Sequence, residues 1–317
     1  MRPQNYELKD IEIKNKFIGL KKKNPESFKK RLKFSWSNWG FGVESLEDTA
    51  KRLNKYGIKY IELHGNRYGE DLGYKTGEAK KILSDYGIEV AGICGMFSAD
   101  NDLSSNTPAV RQNAIDYIKR NLELGAGLEA KYFLIVPGAV GRPNPYDDME
   151  FYRSVETLQI VAGEFLDAGI RGAVEPIRSA EVSFCHTFYD AKKYIEAVSS
   201  PGVKHINGDT YHMLVEESHI GEAIIDAEEM LANLHMADTN RGALGKGFLD
   251  IDTIIMALYV IGYNNDSYCF VTPEPLGPGG DPYPAMHGRP NPEKSDNLVK
   301  TSVRYFKERE NEILSQI

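Results

Sequence analysis

Short runs of β-branched and aromatic residues alternate with longer helix-period stretches along almost all of this chain, and that rhythm constrains the fold most. The runs are KFSWS, IKYIEL, IEVAGI, KYFLIV, IRGAVE, VKHING, LANLHM and YCFVTPE. Each leads into a stretch with apolar residues three and four apart, from VESLEDTAKRLNKYG after the first to SDNLVKTSVRYFKEREN at the end. Eight βα units in succession predict an α/β chain closed into a (β/α)8 barrel. Gly57, Gly87, Gly169 and Gly262 fall where predicted helices end, the position that asks for left-handed backbone. Residues 1–32 precede the first strand and are expected to form an N-terminal extension that covers the barrel's bottom or reaches a partner subunit. Residues 33–317 are expected to form one barrel domain.

With 317 residues, 41% of them hydrophobic, the chain can bury one large core. Its net charge of −8 speaks against a nucleic-acid surface, because phosphate binding needs clustered Lys and Arg. The basic stretch from Lys21 to Lys33 reads as a solvated helix face or a docking arm. No apolar run approaches a membrane span, and MRPQNYELKD lacks a signal peptide's apolar centre. Cys94, Cys185 and Cys269 show no paired spacing. A soluble cytoplasmic protein with reduced thiols is expected, with neither a nucleic acid nor a membrane as partner.

Four predicted strands end in a carboxylate or an imidazole: AVEP at Glu175, NGDTYH at Asp209, NLHMAD at His235 and TPEPLG at Glu274. A (β/α)8 barrel carries its active site at the carboxyl ends of its strands, so strands five to eight would aim these four side chains at one place. Three oxygen donors and one imidazole suit a divalent metal, Mn2+ first, with Mg2+ or Co2+ as alternatives. Glu175, Asp209, His235 and Glu274 are therefore the expected ligands. A strand-end carboxylate can also simply cap the next helix. His64 closes the second strand as a candidate acid or base. Trp36, with Trp39 in FSWSNWGFG, is a candidate stacking surface for a sugar or aryl ring. Lys246 in ALGKG is a weak candidate for a phosphate.

The motifs VEP, GDTYHM, LHMADTNRG and EPLG resemble the xylose isomerase-like barrel superfamily, in particular its ketose 3-epimerase branch. The resemblance implies that Glu181, His212 and Arg241 bind substrate, beside the four ligands. It also implies that Glu175 and Glu274 exchange a proton across a sugar, from a carbon whose neighbouring carbonyl a metal polarises. A long proline- and glycine-rich stretch after Glu274, GPGGDPYPAMHGRPNPEKSD, departs from a simple epimerase. With the N-terminal arm, it gives the chain the character of the barrel subunit of bacterial C-glycoside deglycosidases. That resemblance implies a lyase on 3-oxo-glycosides, β-elimination of the aglycone with His64 or a tyrosine as proton donor, and a smaller β-rich partner subunit or a homo-oligomer. Ketose 3-epimerase or sugar isomerase is the alternative. Apurinic endonucleases share the fold, but their zinc sites demand more than the seven histidines present here.

Overall fold

The computed structural model describes residues 4–42, 44–65, 73–276 and 291–316. Seven parallel strands pair in sequence order: β1 (Tyr60–His64), β2 (Glu89–Cys94), β3 (Tyr132–Ile135), β4 (Arg171–Val174), β5 (Val203–Asp209), β6 (Leu231–Met236) and β7 (Phe270–Pro273). The first predicted strand, KFSWS, is too irregular to form a ladder, yet it closes the ring. Ser35 N and Ser37 N donate to Val271 O and Pro273 O of β7, while Trp36 N donates to Tyr60 O and Trp36 O accepts from Glu62 N of β1. Isolated bridges join Phe34 to Val271 and Ser37 to Glu62. The chain is thus an α/β barrel with parallel staves, as its alternation predicts.

Helices cover the outside: α2 (Leu46–Lys55), α3 (Thr76–Asp85), α4 (Pro108–Gly127), α5 (Glu150–Ala168), α6 (Phe188–Val198), α8 (Ile220–Ala227), α9 (Ile251–Val260) and α10 (Pro292–Ser315). A short extra helix, α7 (Thr210–Glu216), starts directly at the end of β5. The four helix-ending glycines have φ between +65° and +72°. The N-terminal extension contains α1 (Asn5–Lys23), which buries Ile13 and Phe17. It lies on the barrel's flank against α8 and α9. Only the turn after it reaches the bottom, where the Asn264 amide donates to Ser27 O and Lys30 O. The long stretch after Glu274 lies largely outside the described residues, which resume at Asn291.

Because side chains alternate along each stave, the barrel interior is built in layers. At the bottom Tyr60, Ala91, Tyr132 and Phe270 pack together. Above them is a polar layer of Ser35, Glu62, Asn207, Asn233 and Thr272, all buried. A barrel of this kind usually fills its interior with branched apolar residues, so this layer calls for an explanation. Gly92 makes room for it: a Cβ there would sit 2.3 Å from the Tyr132 ring, whose hydroxyl reaches up to Glu62.

Candidate metal centre

The top layer holds all four expected ligands. Glu175 and Glu274 follow β4 and β7 directly, Asp209 ends β5, and His235 lies on β6, with Asp209 and His235 side by side in register. His235 is the hub, at 1% exposure. Its Nδ1 lies 3.4 Å from Glu175 Oε1 and 3.6 Å from Glu274 Oε2. Glu175, Asp209 and His235 offer ligand atoms within 4.8 Å of one another, and so do Glu62, His235 and Glu274. Asp209 also caps α7, its Oδ1 accepting from Tyr211 N at 2.8 Å, so capping and clustering are not exclusive.

Neighbours hold each carboxylate in place. Asn207 Nδ2 donates to Glu175 Oε1 at 3.0 Å and Ser37 Oγ to Glu274 Oε1 at 3.1 Å. Arg241 bridges two acids, with Nη1 2.9 Å from Glu274 Oε2 and Nη2 3.2 Å from Asp209 Oδ2. The same Nη2 lies 3.3 Å from His212 Nε2, and the guanidinium stacks between Trp39 at 4.9 Å and Tyr211 at 4.4 Å. Glu181 accepts from Arg178 Nε at 2.6 Å, and Arg178 lies over the other partner of that stack, Tyr211. The structure therefore brings Glu181, His212 and Arg241 together through Tyr211 and its cations. His212 Nδ1 is buried with no hydrogen-bond partner among the described residues.

The electrostatics are those of a site with surplus negative charge. Burial, with Asp209 and Glu274 nearby, raises Glu175 to about 7 against the pull of His235. Glu274 is also raised, chiefly by burial. For Asp209 burial pushes upward, but Arg241, His212 and His235 together hold it below the ordinary value. Burial opposes the charged form of His235, yet Glu274, Glu62 and Glu175 hold its pKa well above normal. Burial and these carboxylates push the Cys94 thiol far up, so sulfur is not a ready donor here. Three convergent carboxylates and an imidazole, with Arg241 as their permanent cation, fit a divalent ion of the hard, oxygen-preferring kind.

Two expected site residues stand differently from the sequence reading. Trp36 points out of the barrel. Its neighbours Ser35 and Ser37 face inward, to Thr272 Oγ1 and Glu274 Oε1, so alternation turns the indole between strands and helices, stacked on Phe41. Trp39, not Trp36, meets the site's charge. His64 shares the inward face of β1 with Glu62 and packs edge-on to Tyr74. Burial lowers it to about 4, which leaves it neutral near pH 7 and without a proton to spare. Lys246 does not open a phosphate loop either, because Asp238 already accepts from the backbone N–H groups of Gly245, Lys246 and Leu249.

Sequence reasoning missed Glu62. It is fully buried, and both its oxygens lie 2.9 Å from His235 Nε2. Its only sequence signal is a carboxylate at an inward position of IKYIEL, on the same face as His64.

A parallel barrel with a carboxylate and imidazole cluster at the strand ends defines the class of metal-binding α/β barrel enzymes. Within that class the chain belongs to the xylose isomerase-like TIM barrel family, whose model matches residues 50–287. It is 28% identical over 226 residues to a ketose 3-epimerase of Arthrobacter globiformis, covering 71% of this chain and 76% of the relative. It is 25% identical over 246 residues to the 3-dehydro-D-guloside 4-epimerase of Escherichia coli, covering 73% of this chain and 89% of the relative. The solved structure of a D-allulose 3-epimerase from Methylomonas sp. in complex with D-allulose superposes with a TM-score of 0.77 at 22% identity, over 88% of this chain and 98% of that one. No helix among the described residues is long and apolar enough to cross a membrane.

Proposed function

We propose that this chain is a divalent-metal-dependent sugar epimerase that removes and returns the proton on a carbon next to a carbonyl. The observation that carries the reading is the convergence of Glu175, Asp209 and Glu274 on His235, beside Arg241. A bound dication would polarise the carbonyl and make the neighbouring C–H acidic. Glu175 and Glu274 are the proton carriers: both are buried, and burial makes a carboxylate a stronger base than it is in water. His212 and Arg241 are the groups that hold substrate oxygens, and Glu181 with Arg178 braces Tyr211 against the guanidinium. Mn2+ is the metal we expect.

A free ketose is the first substrate class, as in the Arthrobacter relative's name. The Escherichia coli relative favours a second, 3-oxo-glycosides, on which the same proton abstraction inverts a neighbouring carbon. The lyase outcome expected from overall sequence character gives way to epimerisation. The relatives compared are epimerases, and with His64 neutral the acid that β-elimination of an aryl carbon needs would fall to a tyrosine. The decisive experiment incubates the Mn2+-loaded protein in D2O with free ketoses and, separately, with 3-oxo-glycosides. Deuterium at the carbon next to the carbonyl together with an epimeric product supports the proposal. Release of an aglycone without an epimer would replace it with the lyase.

A further inference from the structure

The polar layer beneath the metal centre is arranged in one direction, and it ends on His235. Tyr132 OH donates to Glu62 Oε2 at 2.7 Å, and Asn233 Nδ2 approaches the same oxygen at 3.3 Å. Asn233 Nδ2 also donates to Asn207 Oδ1 at 2.7 Å, while its own Oδ1 accepts from Thr272 Oγ1 at 2.6 Å. Asn207 then turns its amide nitrogen to Glu175. Every amide in the chain has one consistent orientation, and Glu62 is left with donors on all sides. A carboxylate oxygen accepts, so the nitrogen of His235 that lies at hydrogen-bond distance, 2.9 Å from both oxygens of Glu62, donates to it. That nitrogen is Nε2. Nδ1 stands farther from its carboxylates, 3.4 Å from Glu175 and 3.6 Å from Glu274, with the Asn207 amide nitrogen 3.4 Å away, so a divalent cation held by those two acids would displace the proton on Nδ1 and not the one held against Glu62.

We propose that Glu62 is a positioning residue which, through His235 Nε2, fixes the ring and its tautomer so that Nδ1 is the donor presented to the divalent cation. The inference rests on the metal-centre reading above. It also accounts for a carboxylate placed where a barrel of this type normally packs aliphatic side chains. An outer carboxylate of this kind raises the basicity of a ligating imidazole, and its loss weakens metal binding about 10- to 100-fold. Tyr132 belongs to the same device one bond further out, and Gly92 is the space that lets its ring stand there.

The test is calorimetric titration of the metal-free protein with Mn2+ alone, for the natural chain, Glu62→Gln and Tyr132→Phe. Glu62→Gln is expected to weaken Mn2+ by about 10- to 100-fold and Tyr132→Phe by less. A merely structural role would lower the melting temperature of metal-free Glu62→Gln while leaving the Mn2+ dissociation constant of the folded protein unchanged, and that result would overturn the proposal. Should the variant not fold, 15N-histidine NMR of the natural chain loaded with Mg2+ decides. A protonated Nε2 and an unprotonated Nδ1 on His235 support the assignment, and the reverse tautomer overturns it. A natural chain that binds no Mn2+ would overturn the metal-centre reading itself, whereas normal binding with an unchanged Glu62→Gln overturns only the role of Glu62.

Discussion

Glu175→Gln separates the charge a metal needs from the charge folding tolerates. In the metal-free protein the Glu175 carboxyl is raised from 4.5 to about 7, first by burial and then by Asp209 and Glu274. A group raised on folding contributes stability that is fully present below its unfolded pKa, here 4.5. That contribution is lost as pH rises through about 7, because the folded state holds the proton longer. At 1.36 kcal/mol per unit the loss between pH 4.5 and pH 8 is about 3 kcal/mol, an upper figure because His235 shares the same proton. Gln has the same shape and no charge to bury. Metal-free Glu175→Gln should therefore match the natural protein near pH 4.5 and gain on it up to pH 8, by roughly 5 °C in melting temperature for a chain of this size. Saturating Mn2+ should reverse the order, because the natural chain keeps the ligand that the variant lacks and gains more from binding. Melting curves of both proteins at pH 5 and pH 8, with chelator and with Mn2+, measure the four conditions for each. A stability gap independent of pH without metal, or no reversal with it, would show that Glu175 is not held in a charge-starved cluster.

His235→Ala should abolish stoichiometric Mn2+ uptake, measured by metal analysis after gel filtration; full occupancy would remove the hub from the site. Arg241→Ala strips two buried carboxylates of their cation and should cost about 3 to 5 kcal/mol of metal-free stability in urea titrations at pH 8. Added Mn2+ should recover part of that loss. Trp36→Ala should cost about 3 to 5 kcal/mol of stability as a core truncation with KM little changed, while Trp39→Ala should raise KM. Equal effects on KM would undo the distinction between the two indoles. Burial lowers His64 to about 4 and His212 to about 3, so their neutral state contributes stability present above 6.5 and lost as pH falls toward those values. Their NMR ring resonances should accordingly stay fixed from pH 8 to pH 5.5 in the metal-free protein.

The local sequence determined the elements and the rim of the site. Alternation of strand and helix periods, with left-handed glycines at helix ends, reports on neighbours within a few residues, and those are the contacts that decide local structure. Glu175, Asp209, His235 and Glu274 were legible for a related reason: each stands at or next to the carboxyl end of its own strand, and a parallel barrel gathers strand ends without further information. What the sequence left open depends on which way a stave faces once the ring closes. Trp36 looked like a mouth residue until Ser35 and Ser37 took the inward face, and closure by backbone bonds to β1 and β7 set that choice. Glu62 drew no notice in the sequence because its partners, Tyr132 and His235, lie 70 and 173 residues away. The tertiary structure alone places a buried acid against the far nitrogen of the histidine at the candidate metal centre, since a barrel interior brings together side chains that no local pattern relates.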